Sequence, residues 1–180
     1  MNHPSPVVPV AGAAPSQEHC SDSFRQPAHD VALLAVVQFF CFLLLSQLEP
    51  RFFMIHLYQM IPYAAIALLV GCSLDRWAYA IGALVSAVWL ALAYFAGLLG
   101  LAIERLRAPG NSGAIGNFVA ILAIATALVA VLMIALFRVD WIRHRSEWRA
   151  YRRILYLSLA SVTAYYLILL RWFWDMISNA

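Results

Sequence analysis

Residues 47–79 read QLEPRFFMIHLYQMIPYAAIALLVGCSLDRWAY, and this stretch decides the fold. It opens on the tripeptide Glu49, Pro50, Arg51, runs through an apolar segment from Phe52 to Cys72, and closes on Ser73, Leu74, Asp75 and Arg76. Inside the apolar segment stand His56, Gln59, Pro62 and Tyr63. Polar groups in a bilayer are expensive unless satisfied, so these residues are expected to face neighbouring protein. The spacing puts His56, Gln59 and Tyr63 on one face of a helix. Pro62 has no N–H for the carbonyl of Tyr58, which is left for another partner, and a kink is predicted there.

The brevity of the turn at 49–51 fixes what comes before it. The preceding run VALLAVVQFFCFLLLSQL, 31–48, is 18 residues without a charge, just long enough to cross a bilayer, and Asp30 is placed to cap it. Two spans joined by so short a turn pack antiparallel as a helical hairpin. At the helical rise Gln38 then lies level with Pro62, near the bilayer centre. Its amide is expected to donate to the Tyr58 carbonyl or to pair with Gln59.

Downstream, the third span is expected over 77–103, 27 residues that must tilt or project beyond the bilayer. Its small residues recur at spacing four, Gly82 with Ser86, Ala93 with Gly97 and Ala96 with Gly100, a pattern for close helix packing. A turn is read at 104–113, with Asn111, Ser112 or Gly113 capping the next helix. The fourth span, 114–137, carries a stripe of Gly116, Ala120, Ala123 and Ala127 and is expected to be the most buried of the bundle. Residues 138–153, RVDWIRHRSEWRAYRR, hold six arginines, with Trp141 and Trp148 seven positions apart. Such a segment suits the lipid interface: Trp141 and Trp148 in the headgroup layer, Arg143, Arg145, Arg149, Arg152 and Arg153 on phosphates. A fifth span over 154–174 ends in the aromatic belt RWFW; its Ser158, Ser161 and Tyr165 are read as sharing a face.

Composition agrees with this division. Of 180 residues 64% are hydrophobic and only 12% charged, where a soluble domain carries roughly 25% charged. The fold class is therefore all-α, a polytopic membrane helix bundle of five transmembrane helices, with a membrane domain over 31–180. Residues 1–30 contain five of the eight prolines and read as a disordered cytoplasmic tail rather than a secretory signal. Cytoplasmic loops keep the positive excess. With 138–153 inside, eight arginines lie on the inner side and four on the outer, so the N-terminus is cytoplasmic. All twelve basic residues are arginine, which fits the codon usage of a GC-rich genome and, with it, a bacterial inner membrane. The net charge of +3 is modest and concentrated beside a membrane span, which favours anionic lipid over nucleic acid. The three cysteines, Cys20, Cys41 and Cys72, form neither a disulfide framework nor a metal-binding pair.

The chemistry available is narrow. Every Asp and Glu falls at a span end or in the tail, which disfavours acid–base work or proton relay in mid-membrane, and no nucleophile–base pair, phosphate loop or zinc motif occurs. His56 is the one histidine within a span. Its imidazole suits a haem iron or chlorophyll magnesium, with Gln59, Tyr63 and Gln38 as further cofactor-binding candidates, although an interfacial histidine bonded to its surroundings is the commoner arrangement. Three functions follow in order. The first is a non-catalytic accessory, assembly or scaffold subunit of a larger membrane complex, with a membrane-protein partner or a homo-oligomer and the lipid bilayer around it. The second is a redox or pigment subunit binding a tetrapyrrole or quinone near His56. The third is a small-solute transporter or channel.

Overall fold

The computed structural model describes residues 28–108 and 113–178, so the first 27 residues of the tail expected over 1–30 lie outside the described residues, while His29 and Asp30 belong to the first helix. Every regular element among them is a helix: α1 (His29–Leu48), α2 (Phe53–Gly71), α3 (Asp75–Phe95), α4 (Leu98–Arg107), α5 (Gly113–Arg143) and α6 (Trp148–Ser178). Five of these are long and apolar enough to cross a membrane, α4 being the exception. The five-span, all-helical reading of the sequence is therefore met in length and composition.

α1 and α2 form the expected hairpin. Pro50 opens a single 3-10 turn, Pro50–Phe52, where a missing N–H costs nothing. The ring of Phe42 on α1 then stacks on both His56 and Tyr63 of α2, which is the register that so short a turn imposes. Asp30 sits one residue inside the first turn of α1, and Ala28 occupies the cap position. Its carboxylate still accepts from the Val31 N–H at 2.8 Å. Ser73, with φ of 58°, turns the chain from α2 into α3.

The third span is shorter than the sequence suggests. α3 stops at Phe95 because Gly97 takes a left-handed conformation, φ 71°, as glycine does after a helix end, and α4 starts afresh at Leu98. At 1.5 Å per residue, α3 spans roughly 30 Å, one hydrocarbon thickness, so no tilt is needed to absorb an excess. Gly97 and Gly100 accordingly are not close-packing positions: a Cβ at either would meet nothing within 4 Å.

Gly82 is the genuine close approach. A Cβ there would lie 3.2 Å from Met133 Cε of α5, 3.6 Å from Val31 Cγ2 of α1 and 3.8 Å from Ile66 Cδ1 of α2, so four helices meet at this residue. α3, not α5, is the most enclosed span, with 44% of its most apolar window buried against 28% for α5. The reason is the distribution of small side chains. On α3 the buried residues include Ala78, Ala80, Gly82, Ala83, Ser86 and Ala93, which admit neighbours on several sides. On α5, Ala120 and Ala130 face inward while Ile121, Leu128, Val131 and Leu132 are exposed.

Residues 138–153 do not form one element of their own. Residues 138–143 are the last turns of α5, and after a 3-10 turn, Arg145–Glu147, residues 148–153 begin α6. The chain reverses here, since Glu147 meets Arg76 near the start of α3 while Tyr166, further along α6, meets Val85. Trp141 and Trp148 therefore belong to different helices. Trp141 turns inward onto Tyr151, ring centroids 5.1 Å apart, and the Trp148 side chain lies outside the described residues. The guanidinium-bearing residues Arg143, Arg145, Arg149, Arg152 and Arg153 are all exposed. α6 rests mainly on α3, burying Tyr151, Ser158, Val162, Tyr166 and Leu169 at helical spacing. Ser161 points away from that face, so the three residues read as one face are divided.

Candidate functional site

The α1–α2 hairpin brings three of the four candidate ligand residues into one line. At its turn, His56 Nε2 lies 3.4 Å from Glu49 Oε2. The imidazole is stacked against Phe42, centroids 6.2 Å apart, and meets Phe52 edge-on at 6.4 Å. Its Nδ1 is buried with no hydrogen-bond partner. A ligand that took Nε2 would have to displace Glu49.

One and two turns deeper, Phe42 passes the contact on to Tyr63, which is 1% exposed. The Tyr63 hydroxyl lies beside the side chains of Gln38 and Ser86, both wholly buried, so that one polar group each from α1, α2 and α3 meets inside the bundle. Ser86 donates to Met133 Sδ at 3.4 Å. The Gln38 amide and the Tyr63 hydroxyl are close to one another but not aligned as a hydrogen bond, and both are buried without a partner of proper geometry. Gln59 is half-buried on α2, and among the described residues no hydrogen bond joins it to Gln38.

The Tyr58 carbonyl that Pro62 leaves free is taken by neither glutamine. Tyr165 of α6 donates its hydroxyl to it, and the two tyrosine rings stack with centroids 4.6 Å apart. Gln38 faces Tyr63 instead. Sequence reasoning missed Tyr165 because a partner 107 positions distant has no local signature; the only signal was an apolar span with a hydroxyl at the right depth.

A second polar constellation, at the opposite end of the bundle, was also missed. Asp30 of α1 accepts from the Tyr79 hydroxyl of α3 at 2.7 Å, and Asp140 of α5 from the Tyr151 hydroxyl of α6 at 2.7 Å. His144 Nδ1 lies 3.0 Å from Asp140 Oδ1, and Arg76 Nη1 pairs with Glu147 Oε2 at 2.5 Å. Each carboxylate thus meets a donor from another helix or the next turn, which anchors the ends of α1, α3, α5 and α6 to one another. The signal was present as span position: Asp30 and Asp75 with Tyr79 open the first and third spans and Asp140 closes the fourth, which an up-and-down bundle brings to one end. Among the described residues, no group of three or more His, Cys, Asp or Glu is arranged to hold a metal ion.

No protein-family model matches the chain, and neither a curated protein nor a solved structure is significantly similar to it.

Proposed function

We propose that the chain is a non-catalytic accessory, assembly or scaffold subunit of a larger membrane complex, set in the inner membrane of a bacterium with its N-terminus and residues 138–153 on the cytoplasmic side. The observation that supports the reading is where the ionisable groups go. Asp30, Asp140, Arg76, Glu147, Glu49 and His56 are each engaged in a contact that ties one helix end to another or to the turn beside it, His144 pairs with Asp140 one turn away, and none is gathered around a mid-bundle cavity. Such groups serve position rather than turnover. The outward faces of α5 and α6 complement this, with Ile115, Phe118, Ile121, Leu128 and Val131 on one and Leu157, Leu159, Leu167 and Ile168 on the other, all exposed to lipid or to a partner helix. The test is purification in mild detergent: a stoichiometric membrane-protein partner or a second copy is expected to come with the chain, and a monodisperse monomer with no partner overturns the reading.

The second reading places a tetrapyrrole or quinone at His56. The observation that favours it is the buried, unpartnered Nδ1, which is a ring nitrogen held in place by two aromatic side chains. A ligand on Nδ1 leaves the Glu49 contact in place, whereas one on Nε2 requires Glu49 to move aside. A colourless preparation with no extractable quinone removes it.

A further inference from the structure

At the end of the bundle that carries Asp30 and Asp140, an open cleft of about 470 Å³ separates the start of α3 from the start of α6. Ser73, Leu74, Asp75, Arg76 and Trp77 line one side, Glu147 and Ile154 the other. The walls carry both signs of charge in a small space: one guanidinium and two carboxylates. A lone phosphate would face Asp75 and Glu147 as well as Arg76, and a lone cation would face Arg76, so neither is well matched. A zwitterion is. The Arg76 Nε is buried with no acceptor, although its Nη1 is paired with Glu147, so the guanidinium retains an unmet donor on its inner edge. Arginine presents its donors as a fork suited to phosphate oxygens. Glu147, whose side chain is 51% exposed, holds Arg76 through Oε2, and Asp75 accepts the Ala28 N–H through Oδ1 at 3.4 Å; both carboxylates line the cleft, and a carboxylate can accept several hydrogen bonds at once. The apolar part of the lining, Leu74, Trp77 and Ile154, continues into the exposed flank of the bundle, Leu74 itself being 44% exposed.

We propose that this cleft binds the headgroup of a zwitterionic phospholipid bearing a primary ammonium, with the phosphate on Arg76, the ammonium on Glu147 and Asp75, and the acyl chains leaving past Leu74 and Ile154. A primary ammonium is specified because carboxylates accept hydrogen bonds from it, which a quaternary ammonium cannot give. The inference rests on the membrane-spanning reading of the chain and goes beyond the scaffold role.

The test is a competition read by native mass spectrometry on the delipidated full chain in mild detergent, with phosphatidylethanolamine, phosphatidylcholine and phosphatidylglycerol of identical acyl chains. One phosphatidylethanolamine per chain is expected to be retained about tenfold or more over the other two, the scale of a single charged hydrogen bond. Glu147→Gln is expected to bring phosphatidylethanolamine down to the level of phosphatidylcholine while leaving the latter unchanged. Arg76→Gln is expected to weaken both zwitterionic lipids; if it fails to fold, Asp75→Asn carries the test with Glu147→Gln. Equal retention of phosphatidylglycerol, or an unchanged ethanolamine-to-choline ratio in Glu147→Gln, overturns the proposal. Soluble phosphoethanolamine displacing the lipid at matched concentration also overturns it, because the headgroup alone would then be the ligand. Release of the chain from membranes by alkaline carbonate would refute the membrane-spanning reading itself, a result independent of lipid preference.

Discussion

Replacing Tyr165 with Phe isolates a single hydrogen bond, because the ring that stacks on Tyr58 is kept and only the hydroxyl that donates to the Tyr58 carbonyl is lost. Hydrogen bonds between membrane helices average about 0.6 kcal/mol and reach about 1.7. Here the acceptor has no helical donor, since Pro62 occupies the position that would supply one, so deleting the hydroxyl leaves a peptide carbonyl bare in apolar surroundings. The expected cost is therefore at the upper end, about 1 to 2 kcal/mol. The sharper measurement is a double-mutant cycle with Pro62→Ala, which restores an N–H to the Tyr58 carbonyl. In that background Tyr165→Phe is expected to cost under about 0.5 kcal/mol, giving a coupling of about 1 kcal/mol. Reversible unfolding in mixed micelles, followed by far-ultraviolet circular dichroism as the denaturing detergent is raised, reads all four species. Equal cost of Tyr165→Phe in both backgrounds refutes the reasoning, as does a comparable coupling between Gln38→Ala and Pro62→Ala.

Gly82→Ala is expected to change stability by less than about 1 kcal/mol, since the nearest atom to the new methyl is the flexible end of Met133 and helix propensity improves. Gly82→Leu should cost more than about 2 kcal/mol, partly relieved by Met133→Ala, in the same unfolding assay. Gln38→Met removes an amide that is buried without a partner and should stabilise the chain by about 1 kcal/mol; a loss of that size would mean the amide is satisfied by water or ligand. For orientation, Arg145→Cys in a variant lacking Cys20, Cys41 and Cys72 should react with an impermeant thiol reagent only after cell lysis, and labelling of intact cells would invert the topology. Glutamine in place of four of the arginines between Arg143 and Arg153 should scramble that topology if the arginine excess sets it, because four of the eight arginines assigned to the inner side are removed; unchanged topology would refute that role.

How much was legible in the sequence follows from how local each determinant is. The five spans and the α1–α2 hairpin rest on uninterrupted apolar length and on a turn too short for any alternative, and both are read directly. The register that sets Phe42 against His56 and Tyr63 follows from the same turn. The end of α3 was misread because Gly97 belongs to two patterns at once, a small residue four after Ala93 and a helix-stopping glycine, and only the backbone conformation decides between them. Enclosure was assigned to the alanine-rich span because a single stripe is conspicuous, whereas α3 owes its central place to small residues spread around its circumference, a property that needs the neighbours to be placed. Of the candidate ligand residues, the hairpin aligned His56, Tyr63 and Gln38 as a chain of contacts. The partners of Tyr165, Tyr79 and Tyr151 were not legible because each hydroxyl meets its acceptor on another helix, and depth along a span was the one coordinate the sequence supplied.

The contact between Tyr165 and the Tyr58 carbonyl also sets an order of events. Spans leave the ribosome from the N-terminal end, so α2 is made long before its acceptor can be matched by a residue 107 positions later. Throughout that interval the second span holds an unanswered peptide group opposite Pro62, and the arrival of the last span closes it. A chain stalled short of Tyr165 would lack the donor for that carbonyl, and a finished chain supplies it. Pro62 thus leaves the backbone of the second span to be completed by a side chain from the last.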